Sequence, residues 1–252
     1  MSEIITEVDG GVMRLRLNRP GKKNALTKAM YDALTAALLQ AGADTAIRAV
    51  ILSAEGGDFC AGNDILDFAQ NMAGLQDADL DEIAVFQFLK ALTFFEKPLI
   101  AAVQGQAVGV GVTLLLHCDL IVAAEDIRLS LPFLKLGLVP EAGSTLLLPQ
   151  RIGHARAFAW MALGEVIGAE AAKEMGLVNK VVSVGEVMPA AEAMAQALVK
   201  LSPSSLRHTK AFMRDPEALW QVIRAEGQVF RQQLMSPEAQ AAFMAFMSRS
   251  AG

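Results

Sequence analysis

Three short apolar runs constrain this chain most: Ala49 to Ser53, Leu99 to Val103, and Asp119 to Ala123. Each is too short for a helix and shows no polar alternation, so each reads as a strand buried on both faces. Between them lie segments of helical spacing. Residues 27–42 place Met30, Leu34, Ala37 and Leu38 on one face, residues 80–95 read as a second helix, and Gly109 to Leu116 opens a third. Buried strands alternating with helices predict an α/β core with parallel pairing. Residues 4–8 and 12–17 flank Asp9-Gly10-Gly11 and predict a hairpin ahead of it. After about residue 185 only helical patterns remain, over 186–200, 204–213, 216–233 and 237–248. Ser202-Pro203, Asp215-Pro216 and Ser236-Pro237 each supply a capping side chain followed by a proline at the first helical position. The expected organisation is therefore residues 1–185 as the core and residues 186–252 as a helical region.

Composition narrows the function classes. Hydrophobic residues are 53% of the 252, charged residues only 19%, and the net charge is −5. An acidic chain without a basic run is no candidate for nucleic-acid binding. Its apolar stretches are too short to span a bilayer. Met1-Ser2-Glu3 starts no charged-then-apolar leader, so no signal peptide is expected. Two cysteines, Cys60 and Cys118, give no disulfide framework and read as small buried hydrophobes, and three scattered histidines predict no metal site.

Three segments have the makings of a site. Phe59-Cys60-Ala61-Gly62-Asn63-Asp64 follows a buried strand and the Gly56-Gly57 turn, with small residues that let the backbone present its N–H groups to a ligand. Gly105-Gln106-Ala107-Val108-Gly109-Val110-Gly111-Val112 runs from a strand into a helix start, where unpaired N–H donors gather. A dinucleotide site is excluded there, because Leu114 stands at the third glycine of G-x-G-x-x-G. Leu136 to Thr145 carries one carboxylate, Glu141, in an otherwise uncharged apolar stretch up to Pro149. Such a group is either a solvated acid at a helix start or a desolvated base with a raised pKa.

In this order and spacing the segments resemble the crotonase (enoyl-CoA hydratase/isomerase) superfamily over essentially the whole chain. Leu17-Asn18-Arg19-Pro20 with Asn24-Ala25-Leu26 resembles its L-N-R-P…N-A-L stretch, and Phe59 to Asp64 its F-x-A-G-x-D motif. Pro98 to Gly111 with Cys118-Asp119 resembles its K-P-x-I-A-A-V-x-G-x-A-x-G-G-G…C-D run, and Leu136 to Thr145 its L-G-x-x-P-x-x-G-x-T turn. The resemblance implies an α/β, ClpP/crotonase-like superhelix of ββα turns with a C-terminal helical region that supports homotrimers, sometimes paired into hexamers. It implies an acyl-CoA substrate, with coenzyme A part of that substrate and no separate cofactor. It assigns the oxyanion hole to the backbone N–H groups of Asn63 and Val110, with valine here at the middle of the family's triple glycine. It assigns coenzyme A contacts to Lys22, Lys23 and Ala25 on one wall and to Ala61, Asp64 and Ile65 on the other.

The two glutamates of the family's hydratases are absent. Thr113 stands at one position and Pro132-Phe133 at the other, and neither residue can activate a water. Glu141 instead matches the single glutamate of the peroxisomal-type Δ3,Δ2-enoyl-CoA isomerases, which the end Phe246-Met247-Ser248-Arg249-Ser250 also resembles. One base suffices for an isomerase, and burial among Leu138, Val139 and Leu147 is expected to raise its pKa. Thr113 has no base function in this scheme, so its loss is expected to leave isomerisation within about tenfold. The peroxisomal S-K-L address is missing, and a cytoplasmic setting is expected.

Overall fold

The computed structural model describes residues 2–67 and 79–250. The opening hairpin forms from β1 (Ile4–Asp9) and β2 (Val12–Leu17), closed by Gly10 and Gly11, both at positive φ. Helix α1 (Lys28–Ala43) follows, its N-terminus capped by the Thr27 hydroxyl, which accepts from the Met30 N–H. The three apolar runs become β3 (Ala49–Ala54), β4 (Leu99–Val103) and β6 (Leu120–Ala124). They sit at the centre of a six-stranded sheet of order β1-β2-β3-β4-β6-β9, where β9 is Lys180–Val182. Only the β1–β2 pair is antiparallel. All six residues of β3 and all five of β4 are buried, as continuous apolar strands in a parallel sheet should be.

Short strands β5 (Gln106–Val108), β7 (Arg128–Ser130) and β8 (Ile167–Gly168) form a second, three-stranded sheet. β5 and β7 each follow a strand of the large sheet by a few residues, and β8 is joined to β9 through a short helix, so successive turns of chain deposit one strand in each sheet. This is the ββα superhelix. The strands are too short to show a period in sequence. The helices that follow are α2 (Ala84–Thr93), α3 (Val110–Thr113), α4 (Ser144–Ile152), α5 (His154–Leu163) and α6 (Ala169–Glu174). The expected 80–95 helix is a 3-10 turn at Leu80–Glu82 followed by α2, and the expected 109–116 helix is α3 continued by a 3-10 turn at Leu114–His117.

The C-terminal region comprises α7 (Val187–Val199), α8 (Pro203–Met213), α9 (Pro216–Leu234) and α10 (Pro237–Ser250). Ser202 and Asp215 accept from the Ser205 and Ala218 N–H groups, as the Ser/Asp-Pro signals predicted. α7 packs across β3, β4 and β6, and Glu192 on it takes a two-pronged bond from Arg14 on β2. Leu219, Trp220, Ile223 and Leu234 of α9 belong to the same hydrophobic cluster as the sheet. The helical region thus shares the core. Among the described residues no helix is long and apolar enough to cross a membrane.

Two motif residues prove to hold backbone in place. Asn24 is fully buried at φ 54, beside Lys23 at φ 50. Its amide donates to the Glu55 and Asp58 carbonyls at 2.9 and 2.8 Å, and its Oδ1 accepts from the Arg19 N–H at 2.8 Å. Asparagine tolerates the left-handed region, and its three bonds set this turn. Asn24→Ala is expected to cost roughly 2–4 kcal/mol, because buried carbonyls lose their donors. A shift in the midpoint of urea unfolding measures it, and an unchanged midpoint contradicts it. Asp119 accepts from the Leu99 N–H at 2.8 Å and pairs with Lys210 of α8 at 2.7 Å, fastening a C-terminal helix to the ends of the central strands.

Candidate active site

The glycine-rich segments meet at the start of α3. Cys60 and Ala107 form a parallel bridge, and the Val108 N–H donates to the Cys60 carbonyl at 2.9 Å. Gly111 allows this approach, since a Cβ there would lie 2.5 Å from the Cys60 carbonyl oxygen. On the far side of the same segment, Leu26 and Asn63 form a second bridge. The Leu26 N–H donates to Gly62, the Asp64 N–H to Leu26, and the Ala61 N–H to Lys23. So Lys22, Lys23 and Ala25 lie alongside Ala61, Asp64 and Ile65 in one loop pair. Lys22 and Lys23 are exposed, whereas Ala25, Ala61, Asp64 and Ile65 are half-buried. The Asp64 carboxylate is taken up by Arg19 at 2.7 Å and held below its usual range, with hydrogen bonds from the Asp67 and Leu66 N–H groups and Arg19 outweighing burial.

Asn63 and Val110 stand where these segments end. Among the described residues, neither backbone N–H has a hydrogen-bond partner. Buried or half-buried N–H groups are nearly always paired, so two free donors on abutting segments mark a place prepared for an acceptor. Asn63 is fixed by Tyr31, the single tyrosine, whose hydroxyl donates to Asn63 Oδ1 at 2.6 Å. Sequence reasoning missed Tyr31, which looks like one more core position of α1.

Asn63 shares a cavity with Glu141. Apolar side chains from α2 (Val85, Phe86, Leu89) and α9 (Ile223, Phe230, Leu234) make most of its wall, with Arg231 at the side. Glu141 keeps some accessible surface, yet its carboxyl is enclosed and its pKa is pushed up to about 8. Burial is the main cause. A hydrogen bond from Thr113 opposes it, and the nearby Glu226 carboxylate adds to it. The apolar surroundings expected from the local stretch come mostly from helices remote in sequence. Leu138 and Leu147 are buried but do not line the cavity.

Thr113 also turns out to belong to the site. It is fully buried, and its hydroxyl donates to Glu141 Oε1 at 2.5 Å. Oε2 has no hydrogen-bond partner among the described residues, so the lone pairs of one oxygen remain available. Thr113 is not a base, but its hydroxyl orients the Glu141 carboxyl. Thr113→Val keeps the shape and removes the donor. Because the bond favours the ionised carboxylate, its loss is expected to raise the Glu141 pKa further. Turnover at pH 7 should fall by about tenfold, with the deficit narrowing above pH 8. A pH profile of kcat/KM parallel to that of the wild type contradicts this.

A carboxyl of raised pKa shares an apolar cavity with Asn63, and Val110, which does not line that cavity, carries the second free N–H on the abutting segment; such groups suit moving a proton on carbon next to an oxyanion. Known proteins agree in class. Residues 7–251 match the enoyl-CoA hydratase/isomerase family. Enoyl-CoA delta isomerase 2 of Rattus norvegicus is 32% identical over 249 residues; the match covers 98% of this chain but 63% of that protein, so the chain spans less than two-thirds of that relative's length. The 2,3-dehydroadipyl-CoA hydratase of Escherichia coli K12 is 35% identical over 232 residues, 91% of this chain and 89% of that one. The crystal structure of an enoyl-CoA hydratase/isomerase from Pseudoalteromonas atlantica T6c shares the fold with a TM-score of 0.92, at 36% identity and 98% coverage of both chains. The chain belongs to the enoyl-CoA hydratase/isomerase family of the crotonase superfamily, a family of enzymes.

Proposed function

We propose that the protein is a Δ3,Δ2-enoyl-CoA isomerase that moves a double bond with Glu141 as its single proton carrier. The observation that carries this reading is that Glu141 is the only carboxylate lining the cavity among the described residues. Hydration needs a second acid–base group to deliver water, and the two places where hydratases carry theirs hold Thr113 and Phe133. The Glu226 carboxylate acts on Glu141 through its charge, but both its oxygens are committed to backbone and hydroxyl donors.

In this reading the coenzyme A part of the substrate lies along Lys22, Lys23 and Ala25 and along Ala61, Asp64 and Ile65. The thioester oxygen accepts from the Asn63 and Val110 N–H groups. Glu141 takes a proton from C2 of the 3-enoyl chain. The C–H bonding pair moves into the dienolate, whose negative oxygen the two N–H groups stabilise. The same carboxyl returns the proton at C4, leaving the double bond between C2 and C3. A pKa near 8 suits both halves of this transfer, since the group is strong enough as a base and is regenerated as an acid.

The alternative is a hydratase or another enolate-forming reaction, which the Escherichia coli relative favours. Incubation with 3-hexenoyl-CoA and 2-hexenoyl-CoA, scoring double-bond migration and water addition separately, decides between them. Migration without hydration is expected, and hydration at a comparable rate overturns the isomerase.

We further propose that the protein assembles as a homotrimer or a hexamer of paired trimers. The C-terminal helices expose large apolar side chains, among them Phe212 at 88%, Met213 at 78% and Met244 at 73%. Val229 is partly exposed too, while Leu234 is spent on the cavity inside the subunit; the side chains of Phe243 and Phe246 lie outside the described residues. Light scattering at micromolar concentration should give a mass three or six times that of the chain, and a monomeric mass overturns the assembly.

A further inference from the structure

The turn that carries Glu141 is strained and is held from outside at both ends. Ala142 takes φ +60, a conformation that costs a residue with a Cβ about 1–2 kcal/mol, and Gly143 follows at φ +73. Such a turn persists only where its surroundings over-determine it. On the core side, His117 faces the Ala142 carbonyl through Nε2 at 2.8 Å. A carbonyl calls for an N–H, so Nε2 carries the proton, and burial holds His117 neutral with its pKa pushed down to about 4.

On the other side stands Glu226, a buried carboxylate in the middle of α9. One oxygen accepts from the Gly143 N–H at 2.6 Å. The other accepts from the Thr145 N–H at 2.9 Å and from the Thr145 hydroxyl at 2.5 Å. Burial pushes the Glu226 pKa up, and the three donors that face it, with no acceptor among them, oppose that shift by favouring the ionised form. These N–H groups open α4, so the carboxylate also sits at the positive end of that helix. α9 comes close at Gly143, where a Cβ would collide with the Leu219 side chain. The proton transfer described above makes no use of Glu226.

We propose that Glu226 is a positioning residue for the Glu141 base: by gripping Gly143 and Thr145 it fixes the turn that aims the Glu141 carboxyl into the cavity, and so ties that aim to the seating of α9. This rests on the reading of Glu141 as the base. Helix α9 also supplies Ile223, Gly227, Phe230 and Leu234 to the cavity wall, so one element both shapes the acyl pocket and sets the base within it. The charge of Glu226 has a second effect, because a neighbouring anion helps keep Glu141 protonated. Among the described residues, the other titratable groups around Glu141 are Tyr31 on α1, Arg231 on α9 and, behind the turn, His117.

The test uses the full chain with Glu226→Gln and Thr145→Val. Glutamine keeps the size but can offer only one acceptor oxygen to the three donors. Two measurements are made: isomerisation of 3-hexenoyl-CoA, and titration of the Glu141 carboxyl by 13C NMR, its signal assigned as the one absent from Glu141→Gln. Glu226→Gln should lower kcat by about tenfold or more with KM within about threefold. The Glu141 midpoint should move down, because burial remains while the neighbouring charge is gone. The rate falls even though more of the base is ionised at neutral pH, which separates misaiming from titration. Thr145→Val, which removes one donor of the three, should lower kcat by a smaller factor. A folded Glu226→Gln variant with a lower Tm but wild-type kcat and an unmoved midpoint overturns the proposal and leaves Glu226 a helix cap. If Glu226→Gln does not fold, Thr145→Val decides: an unchanged kcat overturns it. If the wild type hydrates 2-hexenoyl-CoA instead of isomerising, the proposed function fails by itself, and the same comparison of kcat and KM on hydration decides this one.

Discussion

Replacing Glu141 by glutamine is expected to lower isomerase turnover by about a thousandfold or more, with acyl-CoA affinity nearly unchanged. Loss of a general base costs roughly 10²–10⁴-fold, and here one group performs both the abstraction and the return. Glutamine fills the same space and can still accept from Thr113, but it cannot take a proton at neutral pH. Exchange of the C2 hydrogen for deuterium should vanish in parallel, because it needs the same abstraction. In the wild type the rate should rise with pH up to about 8, where the carboxyl ionises. The sign for stability is the opposite. The folded chain favours the protonated acid, so the contribution of Glu141 is fully present below the unfolded pKa near 4.5, shrinks as pH rises towards 8 and does not change further above it. The buried glutamine has no charge to desolvate, so Glu141→Gln should gain stability relative to the wild type across that window. Retained turnover in a folded Glu141→Gln variant removes Glu141 from the chemistry.

Asn63→Pro is expected to lower turnover by about 100-fold or more while coenzyme A binding persists, the size of effect seen when one oxyanion donor is lost. The substitution is informative because the Asn63 N–H has no partner among the described residues. Deleting it removes no bond that holds the backbone, so a loss of rate reports on the reaction. Proline also removes the Oδ1 that accepts from Tyr31. Tyr31→Phe is the control for that bond, and its loss should cost less than the donor itself. If Asn63→Pro folds and turns over near the wild-type rate, Asn63 is not part of the oxyanion hole.

Much of this protein was legible in its sequence. Three apolar runs gave β3, β4 and β6 within one residue, because a strand buried on both faces has to be apolar throughout. The capped Ser/Asp-Pro starts gave α8 and α9 to within a residue, because the capping bonds are local. Glu141 stood out because a lone carboxylate in an apolar stretch needs a reason. The second sheet stayed hidden, since strands of two or three residues carry no period and exist only through their pairing. Tyr31, Thr113 and Glu226 were equally hidden. They are ordinary residues on helices far apart in the chain, and they become site residues only once folding brings them to Asn63 and Glu141. Sequence by itself determined the buried central strands, the helical C-terminal region and the carboxylate that stands alone in an apolar stretch. Tertiary structure alone decided the surroundings of Glu141, because desolvation by α2 and α9 and the bonds of Thr113 to its carboxyl and of Glu226 to its turn are long-range contacts that no local pattern records.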